Sequence, residues 1–122
     1  MLDKILNSKN IIHKALDASW KRNEAIAQNI VNADTPGYKR KTVSFEEDLR
    51  EAMESKDFKK SSVDKIEINV TEDNTNLSMR LDGNNVVIEA EVAALAKNTI
   101  QYNALTQLAG YSKLKMVIKE GK

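Results

Sequence analysis

The amino-acid sequence predicts a mainly α protein, in which long N- and C-terminal helices pair as a coiled-coil-like core around a small inserted segment. Three observations predict this fold. Apolar residues repeat at seven-residue spacing near both ends of the chain. The 122 residues include a single Pro, and aromatic residues make up only 5% of them. The apolar surface is therefore mostly aliphatic, which suits contacts between helices.

The first long helix is predicted from Leu2 to Val31, where neither Pro nor Gly interrupts the pattern. Two sets of positions with a seven-residue repeat share one face of it. They are Ile5, Ile12, Ser19, Ile26 and Ala33, and Leu2, Lys9, Leu16, Asn23 and Ile30. A helix of roughly 30 residues is about 45 Å long, far longer than the average globular helix, so it needs a partner along its length.

A turn is predicted to end this helix near Asn32. Thr35 precedes a Pro and is pushed towards extended geometry, and Pro36-Gly37 suits the two central positions of a type II turn. Gly37 is then expected to have a positive φ angle. The side chains of Asn29 and Asn32 can bind the last carbonyl groups of the helix.

A short helix is predicted at about residues 44–55. Ser44 and Glu47 have the spacing of a capping box at its start. Its apolar face is formed by Phe45, Leu49, Ala52 and Met53. The polar segment 56–64 follows and is predicted to be a loop.

A β-hairpin is predicted at about residues 65–81, because apolar and polar residues alternate in two short runs. The apolar residues are Ile66, Ile68 and Val70 in the first run, and Leu77, Met79 and Leu81 in the second. Residues 73–76 between the runs are of types that favour turns. Two strands alone are marginally stable, so the hairpin must rest on a helix.

The second long helix is predicted from about Ile88 towards the C-terminus. Its apolar surface is wider than one stripe, as expected for a helix that contacts more than one neighbour. Together, the two long helices give a predicted assembly seam of Ile5, Ile12, Leu16, Ile26, Ile30, Ile88, Val92, Leu95, Tyr102, Leu105, Ala109 and Met116. The predicted division is a discontinuous helical core, residues 1–35 plus 85–122, and an inserted domain, residues 36–84.

The composition argues against an enzyme. The chain has no Cys and one His, so disulfides are excluded and no metal site is predicted. We predict no catalytic and no cofactor-binding residues, because His13 has no partner at a catalytic spacing and the four Gly residues do not form a phosphate-binding loop. We expect no cofactor.

Charge and hydropathy also bound the partners. The net charge is +1, and the basic run Lys39-Arg40-Lys41 is soon followed by Glu46-Glu47-Asp48, so we expect no nucleic acid as partner. No apolar run approaches the length of a transmembrane helix, and we expect no direct membrane insertion. Charges interrupt the first nine residues, so we expect no cleaved signal peptide.

The segment Asn29-Ile30-Val31-Asn32-Ala33-Asp34-Thr35-Pro36-Gly37-Tyr38-Lys39 closely resembles the N-terminal signature of flagellar rod, hook and related axial proteins. The matching residues are Asn29, Asn32, Thr35, Pro36, Gly37, Tyr38 and Lys39, and near the second long helix Asp82, Gly83, Asn84 and Asn85. The resemblance covers both ends of the chain and weakens between about Lys56 and Arg80.

The resemblance implies a structural subunit of the proximal rod of the bacterial flagellar basal body, whose terminal helices form the axial drive-shaft in an envelope-crossing rod. Its partners would be other rod subunits, the adaptor protein at the rod base and copies of itself. The flagellar type III export apparatus would export it without a cleaved signal peptide. The alternative is a cytoplasmic helical adaptor or export chaperone, which should be fully folded alone, whereas the helices of a rod subunit should gain order from neighbours.

Overall fold

The structure is a computed structural model that describes residues 2–54, 65–74 and 80–120. The elements in chain order are α1 (Leu2–Val31), β1 (Lys41–Ser44), α2 (Glu46–Glu54), β2 (Asn69–Glu72) and α3 (Ile88–Glu120). The mainly α fold is confirmed. In the described part of the chain, no helix combines the length and the hydropathy needed to cross a membrane.

The two long helices pack against each other in antiparallel orientation. Ser19 of α1 contacts Asn98 of α3, and Asn29, further along α1, contacts Glu91, earlier in α3. α1 has 30 residues and α3 has 33. The predicted pairing of terminal helices is therefore confirmed, and α1 ends at Val31, close to the predicted Asn32.

The small sheet is confirmed as antiparallel, but its first strand, β1, is not one of the two predicted runs. β2 pairs with β1, with Lys41 opposite Glu72 and Ser44 opposite Asn69. In the predicted second run, Leu81 is fully exposed and residues 75–79 lie outside the described residues, so the predicted pairing of the two runs stays a prediction. β1 lies on α1 with Val43 buried, so β2 pairs with a strand that is itself supported by a helix.

The short helix is confirmed at Glu46–Glu54, with Leu49 N–H donating to the carbonyl of Phe45 at 2.8 Å. Its acidic first turn suits the positive end of the helix dipole. Met53, predicted on the apolar face, is 54% exposed, so that assignment is wrong. The predicted loop 56–64 lies outside the described residues.

A small apolar core joins the inserted segment to α1. Ala18 of α1, Phe45 and Ile66 are buried together, and they are surrounded by Ala15, Leu49, Ala52 and Ile68. Because one buried member comes from α1, the helix is part of the surface on which the insert folds. The division into a core and an inserted domain stays a prediction.

Candidate functional site

The two halves of the predicted signature meet at the junction between α1 and α3. At Thr35–Tyr38, the N–H of Tyr38 donates to the carbonyl of Thr35 at 3.2 Å, and Gly37 has φ of 75°. This confirms the positive φ expected of a type II turn. In the second half, Gly83 has φ of 83°, and the Gly37 N–H donates to the Asp82 carbonyl at 2.8 Å. The two turns are therefore bonded to each other.

The carboxamide of Asn84 binds the turn that follows the C-terminal end of α1. Asn84 is 0% exposed, and its Nδ2 lies within 3.1 Å of the carbonyl oxygens of Asn32, Ala33 and Thr35. Its Oδ1 accepts a hydrogen bond from Val86 N–H at 2.7 Å. Backbone carbonyl groups in a turn have no partners in a helix or a sheet, so a residue about 50 positions away supplies the donor.

The two Asn residues of the first half have different roles. Asn32 Nδ2 donates to the Gln28 carbonyl at 2.9 Å, as predicted. Asn29 does not bind the last carbonyls of α1, so that prediction is wrong. Its carboxamide instead pairs with the backbone of Lys41, accepting from N–H at 2.7 Å and donating to the carbonyl at 2.9 Å. The side chain of Asn29 thus forms the same pair of hydrogen bonds with Lys41 that a neighbouring strand would form.

Asn29 also joins a second layer of side chains. Its Oδ1 accepts from the Tyr38 hydroxyl at 3.0 Å, and its Nδ2 donates to Glu91 Oε2 at 3.2 Å. With both bonds to Lys41, its donors and acceptor are all used, although the side chain is 0% exposed. Burial, followed by the negative charges of Glu91 and Glu72, raises the pKa of Tyr38, which favours the neutral hydroxyl that donates here.

An ion-pair network lies beside Asn29 and connects three elements. Arg40 donates from Nε to Glu91 Oε1 at 2.8 Å and from Nη1 to Asp73 Oδ2 at 2.9 Å. Glu91 is 1% exposed, so a buried carboxylate is matched by a guanidinium. Burial is the largest single influence on the pKa of Arg40, and it disfavours the charged guanidinium. The hydrogen bonds and charges of Glu91 and Asp73 outweigh burial and raise the pKa of Arg40.

Asn85 ties the same network to the backbone of the sheet. Its Oδ1 accepts from Arg40 N–H at 2.7 Å, and its Nδ2 donates to the Asp73 carbonyl at 2.6 Å. Asp73 N–H donates in turn to the Arg40 carbonyl at 2.8 Å. The signature of two turns and four Asn residues therefore fixes the end of α1, the start of α3 and the edge of the sheet relative to one another.

The basic run at residues 39–41 is occupied within the chain. Lys39 donates to the Gly83 carbonyl, Arg40 binds two carboxylates, and Lys41 Nζ donates to Gln28 Oε1 at 3.0 Å. These contacts account for the cluster of basic residues without a nucleic-acid ligand.

A second ion pair links α1 to the start of α2. Arg22 donates to both carboxylate oxygens of Glu46, at 2.9 and 2.7 Å, and to the Val43 carbonyl at 3.1 Å. Burial would raise the pKa of Glu46 and is the largest single influence on it. The hydrogen bonds and charge of Arg22, together with backbone N–H groups, outweigh that influence and lower the pKa.

The predicted seam residues occupy different environments. Ile26 is buried. Half-buried positions are Ile12, Leu16, Ile30, Leu95, Leu105 and Ala109, and exposed positions are Ile88, Val92 and Tyr102. The side chains of Ile5 and Met116 are not among those that the structure describes. Their role as an assembly seam stays a prediction.

Sequence reasoning missed three polar residues, Arg40, Glu91 and Asn98. Glu91 and Asn98 are buried between α1 and α3, seven residues apart and in the same repeat as Leu105. A search for apolar repeats passes over them because they are polar. The only signal in the sequence was their shared spacing with Leu105.

An unpartnered apolar surface runs along α3, and we call it the outer stripe. Its members are Val92, Ile100, Tyr111, Leu114, Val117 and Ile118, which are between 52% and 70% exposed. At 3.6 residues per turn they share one side of α3, away from the side that holds Glu91 and Asn98. An exposed apolar surface of this length is typical of a protein–protein contact.

No group of three or more potential metal ligands occurs among the residues that the structure describes. The single His, His13, is exposed on α1. The described side chains at the junction of α1 and α3 form hydrogen bonds mainly with one another and with backbone groups. This pattern indicates a structural role for the junction.

Replacing Gly37 by Val should lower the free energy of unfolding by about 2 kcal/mol, because a β-branched residue resists a φ of 75°. An added Cβ would meet no atom within 4 Å, so the cost is in the backbone alone. Urea denaturation followed by circular dichroism measures it. Gly37→Asn is the matched control and should lose less, since Asn tolerates this conformation; equal losses would contradict the explanation.

Comparison with known proteins identifies relatives over most of the chain. It is 31% identical over 119 residues to the flagellar basal body rod protein FlgB of Bacillus subtilis, covering 91% of this chain and 92% of that protein. It is 31% identical over 129 residues to FlgB of Escherichia coli, covering 93% of each. It is 29% identical over 130 residues to FlgB of Borreliella burgdorferi, covering 92% of this chain and 96% of that protein. No model of a known protein family matches the chain.

Proposed function

We propose that this chain, which belongs to the FlgB family of flagellar basal body rod proteins, assembles into the rod through its two terminal helices. The chain is a structural protein of the rod and not an enzyme. The single observation that carries this proposal is the outer stripe of α3, an apolar surface that the chain's own fold leaves uncovered. Rod assembly removes that surface from water, at about 25 cal/mol for each Å² of apolar area.

The paired helices α1 and α3 form the axial core of the subunit in this proposal, and residues 36–84 form a small outer domain. The Asn-rich junction holds the helices and the sheet in a fixed relation, so each subunit presents the outer stripe in the same place. Its partners are other proximal rod subunits, the adaptor protein at the rod base and further copies of itself. The chain reaches the rod through the flagellar type III export apparatus. Membership in a rod protein family favours this function over the cytoplasmic adaptor or export chaperone.

The test uses single charges on the outer stripe. Ile100→Glu and Leu114→Glu should prevent incorporation into isolated rods and abolish swimming, because assembly would bury an unpaired carboxylate. Both side chains are exposed in the free chain, so the free energy of unfolding should change by no more than about 0.5 kcal/mol.

Gln101→Glu is the matched control, since it adds the same charge to an exposed position of α3 outside the outer stripe. It should swim normally. Export of all three variants is followed by the amount of protein outside the cytoplasm, so that a failure of assembly is separated from a failure of export. Normal rods in both stripe variants would contradict the proposal.

A further inference from the structure

A polar pair is buried in the middle of the contact between α1 and α3. Ser19 is 2% exposed and Asn98 is 3% exposed. The Ser19 hydroxyl donates to Asn98 Oδ1 at 3.0 Å, and Asn98 Nδ2 donates to the Ser19 carbonyl at 2.9 Å. The amide therefore finds both a donor and an acceptor at one residue of the facing helix.

The apolar residues around this pair cannot fix the alignment of the helices by themselves. They repeat every seven residues, so a slip of one repeat places another apolar residue at a similar position. Such a slip would move Asn98 from Ser19 to Ile12 or Ile26, neither of which offers a side-chain partner. A buried amide without partners costs about 1–3 kcal/mol, which disfavours the slipped alignment.

The contact between Asn29 and Glu91 acts in the same direction. It lies further along the same helix pair and joins two buried polar side chains at 3.2 Å. Two separate polar contacts are satisfied only in one alignment, whereas apolar packing tolerates several. A slip of seven residues would shift the outer stripe by about 10 Å relative to α1.

We propose that the buried Ser19–Asn98 pair sets the register of α1 against α3 and thereby selects one antiparallel alignment over slipped ones. A single polar residue in an apolar helix contact has this effect in coiled coils, where it reduces stability and fixes the alignment. The pair therefore specifies where each subunit presents its surfaces.

The chain has no Cys, so two introduced Cys residues can carry spin labels at known sites. Asp17→Cys and Lys97→Cys are suitable, since both positions are exposed and lie on opposite helices. Pulsed electron paramagnetic resonance on the isolated, doubly labelled chain should give one narrow distance. In Asn98→Leu, a second distance should appear and account for at least roughly a fifth of the molecules, because a slipped alignment then no longer leaves the buried amide of Asn98 without partners.

Asn103→Leu is the matched control, since it makes the same change at an exposed position of α3, and it should keep the single distance. If Asn98→Leu does not fold, Asn98→Ala carries the test without the larger side chain. A single unchanged distance in the Asn98 variants would overturn the proposal, as would several distances in the parent chain. Loss of the helical circular dichroism signal in both variants would also overturn it, because the pair would then be needed for folding. These measurements need no rod partner, so their outcome is independent of the proposed assembly.

Discussion

Replacing Glu91 by Ala should lower the free energy of unfolding by about 3 kcal/mol. The carboxylate is 1% exposed and accepts hydrogen bonds from Arg40 Nε at 2.8 Å and from Asn29 Nδ2 at 3.2 Å. Removing one partner of a buried ion pair leaves the other charge without compensation, which typically costs about 3–5 kcal/mol. Arg40 is partly exposed and keeps Asp73, so we expect the lower end of that range.

The measurement is urea denaturation followed by circular dichroism at neutral pH. Glu89→Ala is the control, since Glu89 is an exposed residue in the same turn of α3, and its effect should stay within about 0.5 kcal/mol. Glu91→Gln keeps an acceptor for Asn29 but loses the charge, so it should fall between the two. A loss in Glu91→Ala no larger than that in Glu89→Ala would show that the network does not stabilise the junction.

Replacing Ile26 by Glu should destabilise the chain by at least about 4 kcal/mol. Ile26 is the one predicted seam residue with a described side chain that is fully buried. The substitution removes an apolar side chain from the interior and places a carboxylate there without a partner. Since single domains have only about 5–15 kcal/mol of stability, a large part of the helical signal should be lost at 37 °C.

Ala27→Glu is the matched control, because it introduces the same charge at the next residue of α1, which is exposed. It should unfold at nearly the same urea concentration as the parent chain. Ile26→Val removes one methylene group and should cost about 1 kcal/mol, which separates the loss of packing from the burial of charge. If Ile26→Glu were as stable as Ala27→Glu, the result would contradict the burial of Ile26 in the folded chain.

The charge substitutions at Ile26 and Ile100 distinguish apolar residues that are buried within the chain from those that are left exposed for assembly. A charge at Ile26 should affect the isolated chain, whereas a charge at Ile100 should affect only assembly. Ile26 belongs to a seven-residue repeat of α1 and Ile100 to the wider apolar surface of α3, and neither pattern tells which surface is covered within the chain. The difference follows from their burial in the structure.

Features that depend on neighbouring residues follow directly from the amino-acid sequence. The long helices follow from local spacing of apolar residues and the absence of Pro within them. The end of α1 and the positive φ of Gly37 follow from Thr35-Pro36-Gly37, because Pro restricts the residue before it and Gly suits the third position of the turn. The matching residues at Asn29–Lys39 and Asp82–Asn85 could be identified as a signature without knowledge of what they contact.

Contacts between distant residues could be identified only from the packing of the folded chain. The bond between Ser19 and Asn98 joins residues 79 positions apart, and that between Asn29 and Glu91 joins residues 62 apart. Glu91 and Asn98 share the seven-residue spacing of Leu105, but a pattern of apolar residues does not include them, so the predicted seam contained apolar residues alone. Likewise, no local alternation of apolar and polar residues predicted β1, which pairs with β2 and lies against α1. Local pattern sets the type of an element, whereas its partner depends on which surface can cover its hydrogen bonds and apolar groups at the lowest free energy.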